Sequence, residues 1–522
     1  MNLVRPILLA TLFSTLALQA SHAADPLAPM AQRRAIDAES GNLRIAQERL
    51  NWDPAKTAII VCDMWDKHWC EGATRRVAEM APAMDKVLRI ARETGVLVIH
   101  APSDTMDAYK DAPQRRRAID APMSAMPNED TWKALDDSHE GPLPIDDSDG
   151  GCNCVPQCPN VNKRMWTRQI DTLSIGPDDA VTDNGQEVFN LLKQQGRENV
   201  IVMGVHTNMC VLGRPFSIRA QVRNGFHVAL MRDLTDTMYN ARMRPYVDHF
   251  RGTDLVVAHI ERHWCQTITS AAFTGEAPFA FAEDTRTHAV FLLHENEYET
   301  QKTMTEFAET ELAAPFGWKC TYLFGDTPHD LPGLEALADA DLMVVSVRRQ
   351  ILPASQLEWV KAYAATNKPI VGIRTASHAF ALRTPDLPPG GVEWKEFDAQ
   401  ILGGNYTNHV DNKDPKAPRT YAWTLPEQAN HPILNGVRAD RFVTTSWLYK
   451  VSPLAPTATP LMMGRVEGLS NDEPVAWTNL RPSGDRSVNG RVFYTSLGHQ
   501  DDFNDKNFRR LLLNGIVWAA KP

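Results

Sequence analysis

A short apolar run that ends in a polar turn and a cysteine constrains this chain more than any other stretch. Residues 200–205, VIVMGV, have the length and the β-branched content of a strand that is buried on both faces. His206, Thr207 and Asn208 follow as turn-forming and cap-forming residues, and Cys210 stands where a helix should begin. Backbone N–H groups and the helix dipole favour thiolate at such a position, so Cys210 is either a nucleophile or a buried, inert cysteine.

Strand and helix patterns alternate along most of the chain. The apolar runs 57–62 and 96–99 flank a stretch with apolar residues at helical spacing, and this βαβ order implies a parallel sheet. A second cycle of strands and helices begins at Ala289, and 522 residues exceed what one core supports. We therefore predict an α/β protein with two doubly wound domains, residues 24–280 and 287–522, each a mainly parallel sheet flanked by helices.

The pattern is less regular in a few places. Residues 24–50 are charged and predict an N-terminal arm, and residues 101–162 form a Pro-, Asp- and Gly-rich insertion that we place near the active-site mouth. The run 254–258 predicts a strand. Pro215 predicts a kink or a restart in the helix after Cys210.

The first 23 residues have the features of a signal peptide. Arg5 supplies a positive charge, residues 7–18 are apolar, and residues 21–23 form a small-x-small cleavage site. No later run approaches the roughly 20 apolar residues that span a bilayer. We expect a protein without a membrane span that is periplasmic or secreted after cleavage near Ala23. The net charge of −10 argues against a nucleic-acid partner. The sequence leaves open whether the protein forms a homo-oligomer.

Export gives the eight cysteines a particular meaning, because some should pair in an oxidising compartment. Cys152, Cys154 and Cys158 lie together in the loop GGCNCVPQC. A zinc knuckle there would lack a fourth ligand and a second Cys-x-x-Cys, so disulfides are the preferred interpretation. We expect neither a metal nor a cofactor in this protein. Cys210 has to stay unpaired in order to act as a nucleophile.

Asp63 and Cys210 both follow apolar strands at their carboxyl ends. Ligands of open α/β sheets bind beyond that edge, so we expect the two side chains to share one crevice. A carboxylate in this place accepts the proton of the thiol, and a nearby cation holds the carboxylate and favours the anionic sulfur.

Residues 50–270 resemble the isochorismatase-like cysteine hydrolases, the family of nicotinamidases and related amidohydrolases. The resemblance rests on IIVCDMWD around Asp63, NKRMWT around Lys163 and GVHTNMCV around Cys210. It implies Asp63 as the base, Lys163 as the cation and Cys210 as the nucleophile. It also implies a non-proline cis peptide at Val205–His206 that shapes an oxyanion hole with the Cys210 N–H. Family members that hydrolyse isochorismate lack the cysteine, so the resemblance implies an amide-type C–N substrate and a thioester.

Other residues near these motifs are candidates for contact with a small-molecule substrate. Arg168 competes with Lys163 for the role of the cation. The Asp-x-His metal motif of nicotinamidases is missing after His100, which speaks against a metal of that type. Further candidates, each with a core or salt-bridge role as its alternative, are Val205, His206, Trp65, Trp166, Arg214, Arg219 and Arg232.

Residues 287–522 resemble the ThuA-like group within the class I glutamine-amidotransferase-like fold. The matching motifs are VGIRTASHAF at 371–380, HPILNGV at 431–437, PVAW at 474–477 and VFYTSLGHQDDFND at 492–505. True glutamine amidotransferases carry a cysteine at the strand-to-helix turn, but residues 374–378 here contain none. His378, His499 and Asp501 or Asp502 are therefore candidates for a metal or for acid–base chemistry on a sugar, with a binding or structural role as the alternative.

The sequence leaves more than one function in competition. The leading hypothesis is an exported cysteine hydrolase that cleaves a small amide or a related C–N bond. The alternative is a sugar-directed enzyme or a carbohydrate-binding protein whose main activity lies in the ThuA-like domain. A non-catalytic binding module, with Cys210 in a disulfide, is the third.

Overall fold

The computed structural model describes residues 26–38, 41, 43–384, 386–410, 419–481 and 490–521. The predicted signal peptide, residues 1–23, lies outside the described residues. Within them, no helix combines the length and the apolar character that crossing a membrane requires.

Eight strands between residues 30 and 268 form the first sheet. They are β1 (Met30–Ile36), β2 (Leu43–Arg49), β3 (Thr57–Cys62), β4 (Leu97–Ala101), β5 (Ala180–Val181), β6 (Asn199–Val205), β7 (His227–Asp236) and β8 (Gln266–Ile268). Their order across the sheet is β2-β1-β8-β7-β6-β3-β4-β5. All pairings from β8 to β5 are parallel, whereas β1 is antiparallel to both β2 and β8. The predicted parallel sheet is confirmed.

Helices cover both faces of this sheet. They are α1 (Glu71–Glu93), α2 (Pro113–Ile119), α3 (Gly185–Gln194), α4 (Cys210–Gly213), α5 (Ile218–Arg223), α6 (His249–His263) and α7 (Ala271–Thr274). The apolar side of α1 packs on one face, and α3, α5 and α6 pack on the other. The helix restart predicted at Pro215 is confirmed, because α4 ends before Pro215 and α5 begins after it.

The strand predicted at residues 254–258 is wrong, because these residues lie within α6. Asp248 caps this helix by accepting a hydrogen bond from the backbone N–H of Phe250. Phe250, Val256, Val257 and Ile260 are buried at helical spacing. A pair of adjacent valines imitates a strand over only a few residues, and the longer amphipathic period decides the structure.

The second sheet has nine strands. They are β9 (His288–His294), β10 (Lys319–Phe324), β11 (Leu342–Val347), β12 (Ile370–Ile373), β14 (Thr420–Thr424), β15 (Phe442–Thr444), β17 (Ala458–Val466), β18 (Glu473–Leu480) and β19 (Arg491–Thr495). Their order is β10-β9-β11-β12-β19-β18-β17-β14-β15. Pairings from β10 to β19 are parallel and those from β19 to β15 are antiparallel, so this sheet is parallel over one half. A separate ribbon pairs β13 (Asn408–His409) with β16 (Tyr449–Lys450).

Helices also flank both faces of the second sheet. They are α8 (Thr300–Ala308), which continues through a π-helical turn into α9 (Ala314–Phe316), then α10 (Ala354–Ala365) and α11 (Lys506–Ala520). Helices α8 and α11 pack on one face, and α10 packs on the other. The doubly wound α/β prediction is therefore confirmed for both parts of the chain.

The predicted charged arm at residues 24–50 is instead the hairpin β1–β2, which joins the two parts of the chain. Ile45 of β2 is buried in the core beneath the second sheet. The side chain of Gln47 donates to the carbonyl of Tyr322 (2.7 Å) and accepts from the N–H of Phe324 (3.2 Å), both in β10. Charged and apolar residues alternate along both strands, which is the pattern of a half-buried strand. The high charge of the segment suggested an arm instead.

Candidate functional site

Adjacent strands of the first sheet bring Asp63 and Cys210 together. Asp63 follows β3 directly, and Cys210 begins α4 after the turn that follows β6. The two strands are parallel neighbours, with Cys62 opposite Gly204. Gly204 has a φ of 116°, and a Cβ atom there would clash with the carbonyl oxygen of Cys62. Glycine is therefore required where the two strand ends approach most closely.

The Asp63 carboxylate is fully buried and is held from two sides. Its Oδ1 accepts a hydrogen bond from the backbone N–H of Ser103 (2.8 Å), and its Oδ2 accepts one from Nε of Arg214 (3.1 Å). Burial raises the pKa of Asp63 above its usual value, and the charge of Arg214 limits the rise. A carboxylate with a raised pKa is a better proton acceptor than one in water.

The Cys210 thiol faces this carboxylate and is 8% exposed. Burial raises its pKa far above the usual range, and the charge of Asp63 together with a side-chain hydrogen bond between the two groups adds to the rise. Arg214 and a backbone hydrogen bond from His206 act in the opposite direction. The resting pair is therefore a neutral thiol beside a carboxylate, so the thiol needs that base to become a nucleophile.

Arg214 is the cation of this cluster. It is the C-terminal cap residue of α4, four positions after Cys210, and its guanidinium lies 5.8 Å from the ring centroid of Trp132. Burial opposes its charge, but the carboxylates of Asp63 and Asp104 keep its pKa above the usual value. Asp104 lies 3.6 Å away at the exposed side. Residues four positions apart lie on the same face of a helix, so the sequence already indicated that Arg214 lies near Cys210.

The structure does not bring Lys163 or Arg168 to Asp63. Lys163 is exposed, and among the described residues its ammonium group makes no hydrogen bond or ion pair. Arg168 is also exposed, and its guanidinium pairs with Asp171 at 2.6 Å. The segment that carries them packs on the loop after β3 through its backbone instead, where Asp66 accepts from the N–H of Thr167 (2.9 Å).

Aromatic side chains form one wall of the site. Trp65 and Trp166 stack with their ring centroids 4.2 Å apart, and His68 stacks on Trp166 at 5.7 Å. His206 meets the edge of His68 at 4.9 Å. Burial lowers the pKa of His68 to about 4 and holds that of His206 well below its usual value, so both rings are neutral at pH 7. The sequence did not indicate His68.

Several buried polar atoms of this wall have no hydrogen-bond partner among the described residues. They are Oγ of Ser103, Nε1 of Trp166 and Nε2 of His206. Such groups are normally satisfied by a protein atom, a water or a ligand. They give the site capacity to bind a small polar molecule.

The peptide bond between Val205 and His206 is cis, as predicted. The following turn is held by its own side chains. Thr207 pairs with Thr235 through their hydroxyls at 2.7 Å, and the amide of Asn208 donates to Asp147 at 2.7 Å. Thr207 and Asn208 therefore serve to shape the turn.

None of the eight cysteines, all of which lie in described regions, has a partner at disulfide distance. The expected disulfides are thus absent from this structure, and Cys210 is unpaired. The sulfur atoms of Cys70, Cys152, Cys154 and Cys158 form a compact group. Cys70 supplies the fourth member that the sequence pattern lacked.

In the second part of the chain, Arg374 occupies the turn directly after β12, with a φ of 45°. It is fully buried, donates to the carbonyl of Ser496 (2.9 Å) and the hydroxyl of Tyr298 (3.0 Å), and lies 4.9 Å from the Tyr449 ring centroid. Its Nε has no partner among the described residues. An arginine therefore stands in the turn where the resemblance places a cysteine in true glutamine amidotransferases.

The predicted residues His378 and His499 lie near Arg374, and Asp501 lies beside His499, but the three form no joint cluster in the described structure. The His378 ring stacks on Tyr406 at 4.4 Å, and the His499 ring lies 5.7 Å from Tyr298. His499 caps a short 3-10 helix, with its Nδ1 3.5 Å from Asp501. Asp502 accepts hydrogen bonds from Thr444, Thr445 and Ser446 and so holds a loop.

Fold and site together define a two-part α/β protein with a cysteine–carboxylate–arginine cluster in its N-terminal part. Residues 290–519 match the family model ThuA, whose description is trehalose utilisation. No curated protein matches the chain.

Solved structures that are similar to this chain include ThuA-like proteins and isochorismatase-family or cysteine hydrolases. A ThuA-like protein from Bacteroides uniformis is 17% identical, with 46% of this chain and 94% of that chain covered and a TM-score of 0.33. A cysteine hydrolase from Pseudomonas syringae is 20% identical, with 42% and 90% covered and a TM-score of 0.27. An isochorismatase from Pseudomonas putida is 12% identical, with 42% and 91% covered and a TM-score of 0.26.

Proposed function

We propose that the N-terminal part of this protein is a cysteine hydrolase that cleaves a small amide or a related C–N bond through a thioester on Cys210. The observation that carries the proposal is the buried cluster in which Cys210 faces Asp63 and Arg214 binds the same carboxylate. A nucleophile, a base and a group that orients the base are the components of nucleophilic catalysis.

The proposed reaction passes through two tetrahedral species. Asp63 takes the proton of the Cys210 thiol as the sulfur attacks the substrate carbonyl carbon. The amine then leaves with the proton from Asp63, and a thioester remains on Cys210. Water attacks the thioester and gives its proton to Asp63, the carboxylic acid departs, and the proton returns to the thiolate.

The resemblance to cysteine hydrolases assigns the oxyanion to backbone N–H groups at the turn, those of Cys210 and of the Val205–His206 peptide. Backbone donors at the start of a helix stabilise negative charge as it develops. In this proposal Arg214 takes the place that the resemblance gives to Lys163. Arg168 has no part in the chemistry.

The aromatic wall and its unpaired polar atoms support a small, partly planar substrate. Trp65 and Trp166 offer flat apolar surface, and Ser103 and His206 offer polar atoms that have no partner among the described residues. A neutral amide or urea fits these groups better than a charged molecule, because the adjacent histidines are held neutral.

The test is a screen of small amides and ureas with the wild type and with Cys210→Ala. Turnover should vanish in the variant while circular dichroism shows the native fold, and iodoacetamide should label Cys210 in the wild type. Turnover that survives in Cys210→Ala would overturn the proposal.

We also propose export to the periplasm or the medium, on the strength of the sequence of residues 1–23. Mass spectrometry of protein from expressing cells should give a mature N-terminus near Ala24. A chain that keeps these residues and stays with the cytoplasmic fraction would contradict export.

A second candidate function lies in the ThuA-like part, as sugar-directed binding or chemistry. It is supported by Arg374 with its unpartnered Nε, set among Tyr298, Trp447 and Tyr449, since aromatic rings and guanidinium groups are suited to bind hydroxylated rings. A screen of keto-sugars with His378→Ala and His499→Ala tests it. Turnover of a sugar by the wild type and by Cys210→Ala, lost in the histidine variants, would favour this part.

A further inference from the structure

Four cysteine sulfurs meet at the side of the first sheet, beside the proposed active site. Cys70 is the N-terminal cap residue of α1, and Cys152, Cys154 and Cys158 come from the loop of the long insertion. Their Sγ atoms all lie within 4.8 Å of one another. The fold thus brings Cys70 together with three cysteines that follow it by 82 to 88 positions in the chain.

The spacing of these sulfurs fits an ion in their centre. Tetrahedral zinc with Zn–S bonds of about 2.3 Å sets the sulfurs about 3.8 Å apart, and Cys70 and Cys154 lie 3.8 Å apart. A disulfide needs about 2.05 Å between its sulfurs. The described structure therefore presents four separate thiols around a common centre.

Backbone N–H groups donate to the sulfurs of this group. The backbone N–H of Gly72 donates to Sγ of Cys154 (3.2 Å), and that of Glu71 donates to Sγ of Cys158 (3.4 Å). Backbone N–H groups of Cys154 and Cys158 are directed at Sγ of Cys152. Hydrogen bonds of this kind orient metal ligands and stabilise their negative charge.

A buried arginine supplies charge beside the cluster. Arg76 donates through Nε to Asp236 (2.8 Å), while its Nη2 is buried without a hydrogen-bond partner among the described residues. A Cβ atom on Gly72 would lie 3.1 Å from Sγ of Cys154 and 3.2 Å from Nη1 of Arg76. Guanidinium and sulfurs therefore border the same small space, where four thiolates around a divalent ion would carry a net negative charge.

Glycine also allows the loop to reach this position. Gly151, with a φ of 71°, precedes Cys152, and a Cβ atom there would clash with the backbone of Met238. The chain thus requires a residue without a side chain next to the first cysteine of the loop.

We propose that Cys70, Cys152, Cys154 and Cys158 form a closed tetrahedral site for a structural Zn²⁺ ion. Zinc favours four thiolates in this geometry, and four protein ligands leave no open position for catalysis. Each thiol gives up its proton as the ion binds. The sequence alone favoured disulfides in this loop and no metal, because Cys70 lies far from the other three in the chain.

The ion links the insertion to the N-terminus of α1, next to the aromatic wall of the proposed active site. Trp69, Met165, Trp166 and Met209 pack against the cysteines, and Met209 precedes Cys210. Loss of the ion is therefore expected to loosen the wall formed by Trp166 as well as the loop itself.

The full chain, purified without chelator or added metal, tests the site by elemental analysis. We expect about one Zn²⁺ per chain, released when a mercurial reagent titrates the thiols. Cobalt substitution should give thiolate-to-metal charge transfer and the visible bands of tetrahedral Co²⁺. Cys154→Ser should lose at least tenfold in zinc affinity, whereas Cys265→Ser, which changes a buried cysteine outside the cluster, should keep the ion.

The wild-type measurements do not depend on whether the variants fold. A chain without metal whose intact mass is lower by the hydrogens of two disulfides would overturn the proposal. So would a chain without metal that shows all these thiols free and does not take up Zn²⁺ or Co²⁺. Tightly bound iron or copper in place of zinc would overturn the choice of ion.

Discussion

Nε of Arg214 lies 3.1 Å from Oδ2 of Asp63, so a fully buried carboxylate is paired with a residue four positions after Cys210. Isolated buried carboxylates are costly, and this pairing favours the ionised form of Asp63 beside the thiol. Arg214 thereby connects the turn that carries Cys210 to the strand end that carries Asp63.

The first prediction separates Arg214 from Lys163. Arg214→Ala should lower kcat/KM by about 10²-fold, because Asp63 loses its partner and its ionised form is less favoured. Arg214→Lys should recover part of the rate. Lys163→Ala, the matched control, should stay within about twofold, since its side chain is exposed. The opposite order of effects would restore Lys163 as the cation.

The second prediction concerns the acid side of the pH–rate profile. Asp63 works as a base only when ionised, so activity is lost as the pH falls through its pKa, which burial raises above the usual value. Arg214 lowers that pKa, so Arg214→Gln should move the acid limb of kcat/KM to higher pH. A limb that stays in place would show that Arg214 does not act on the titrating group.

The third prediction uses the opposite effects of Asp63 on turnover and on thiol ionisation. Because the charge of Asp63 raises the pKa of Cys210, Asp63→Asn should lower that pKa. The pH midpoint of Cys210 alkylation by iodoacetamide should then move to lower pH, while turnover is lost because the base is gone. Peptide mass spectrometry across a pH series measures the first effect, and Asp171→Asn is the exposed control. A midpoint of Cys210 alkylation that stays in place or rises in Asp63→Asn would contradict the assigned pair.

The fourth prediction tests the close approach of the two strand ends. Gly204→Ala should reduce the free energy of unfolding by more than about 3 kcal/mol, because the new methyl group meets the carbonyl of Cys62 at a positive φ. Gly225→Ala is the control, since Gly225 also has a positive φ but open space around it, and about 1 kcal/mol is expected. Equal losses in denaturant titration would argue against the clash.

The fifth prediction concerns the hairpin that joins the two parts of the chain. Ile45→Ala should cost about 2–4 kcal/mol, because Ile45 is 3% exposed in the core under the second sheet. Ile36→Ala in the same hairpin should cost less than about 0.5 kcal/mol, because Ile36 is 46% exposed. Thermal unfolding of both variants measures the difference in stability. Equal losses of stability in the two variants would contradict the burial of Ile45 under the second sheet.

The local sequence pattern predicts the secondary structure correctly where an apolar run is long enough to indicate a buried strand. The buried strands β3 and β6 and the turn before Cys210 are of this kind, and so is the meeting of Asp63 and Cys210 at one edge of the sheet. The hairpin β1–β2 was missed because its burial is decided by partners distant in the chain. Helix α6 was missed because its adjacent valines imitate a strand, although its longer amphipathic period is helical.

Contacts between distant segments explain the other differences at the site. Lys163 lies in a sequence motif of the right type, but its side chain is exposed to solvent, and Arg214 pairs with Asp63 instead. Helix α1, strand β4 and most of the insertion separate Cys70 from the GGCNCVPQC loop, so only the folded chain shows four sulfurs together.

The most direct test of the proposed hydrolase is to quench a turning-over mixture of the wild type with an amide substrate from the screen and to map the adduct by mass spectrometry. We predict an acyl group on Cys210, with a mass equal to the substrate acyl fragment, that accumulates in Asp63→Asn less than in the wild type and is absent from Cys210→Ala. Turnover without any acyl group on Cys210, together with normal turnover in Cys210→Ala, would contradict the account.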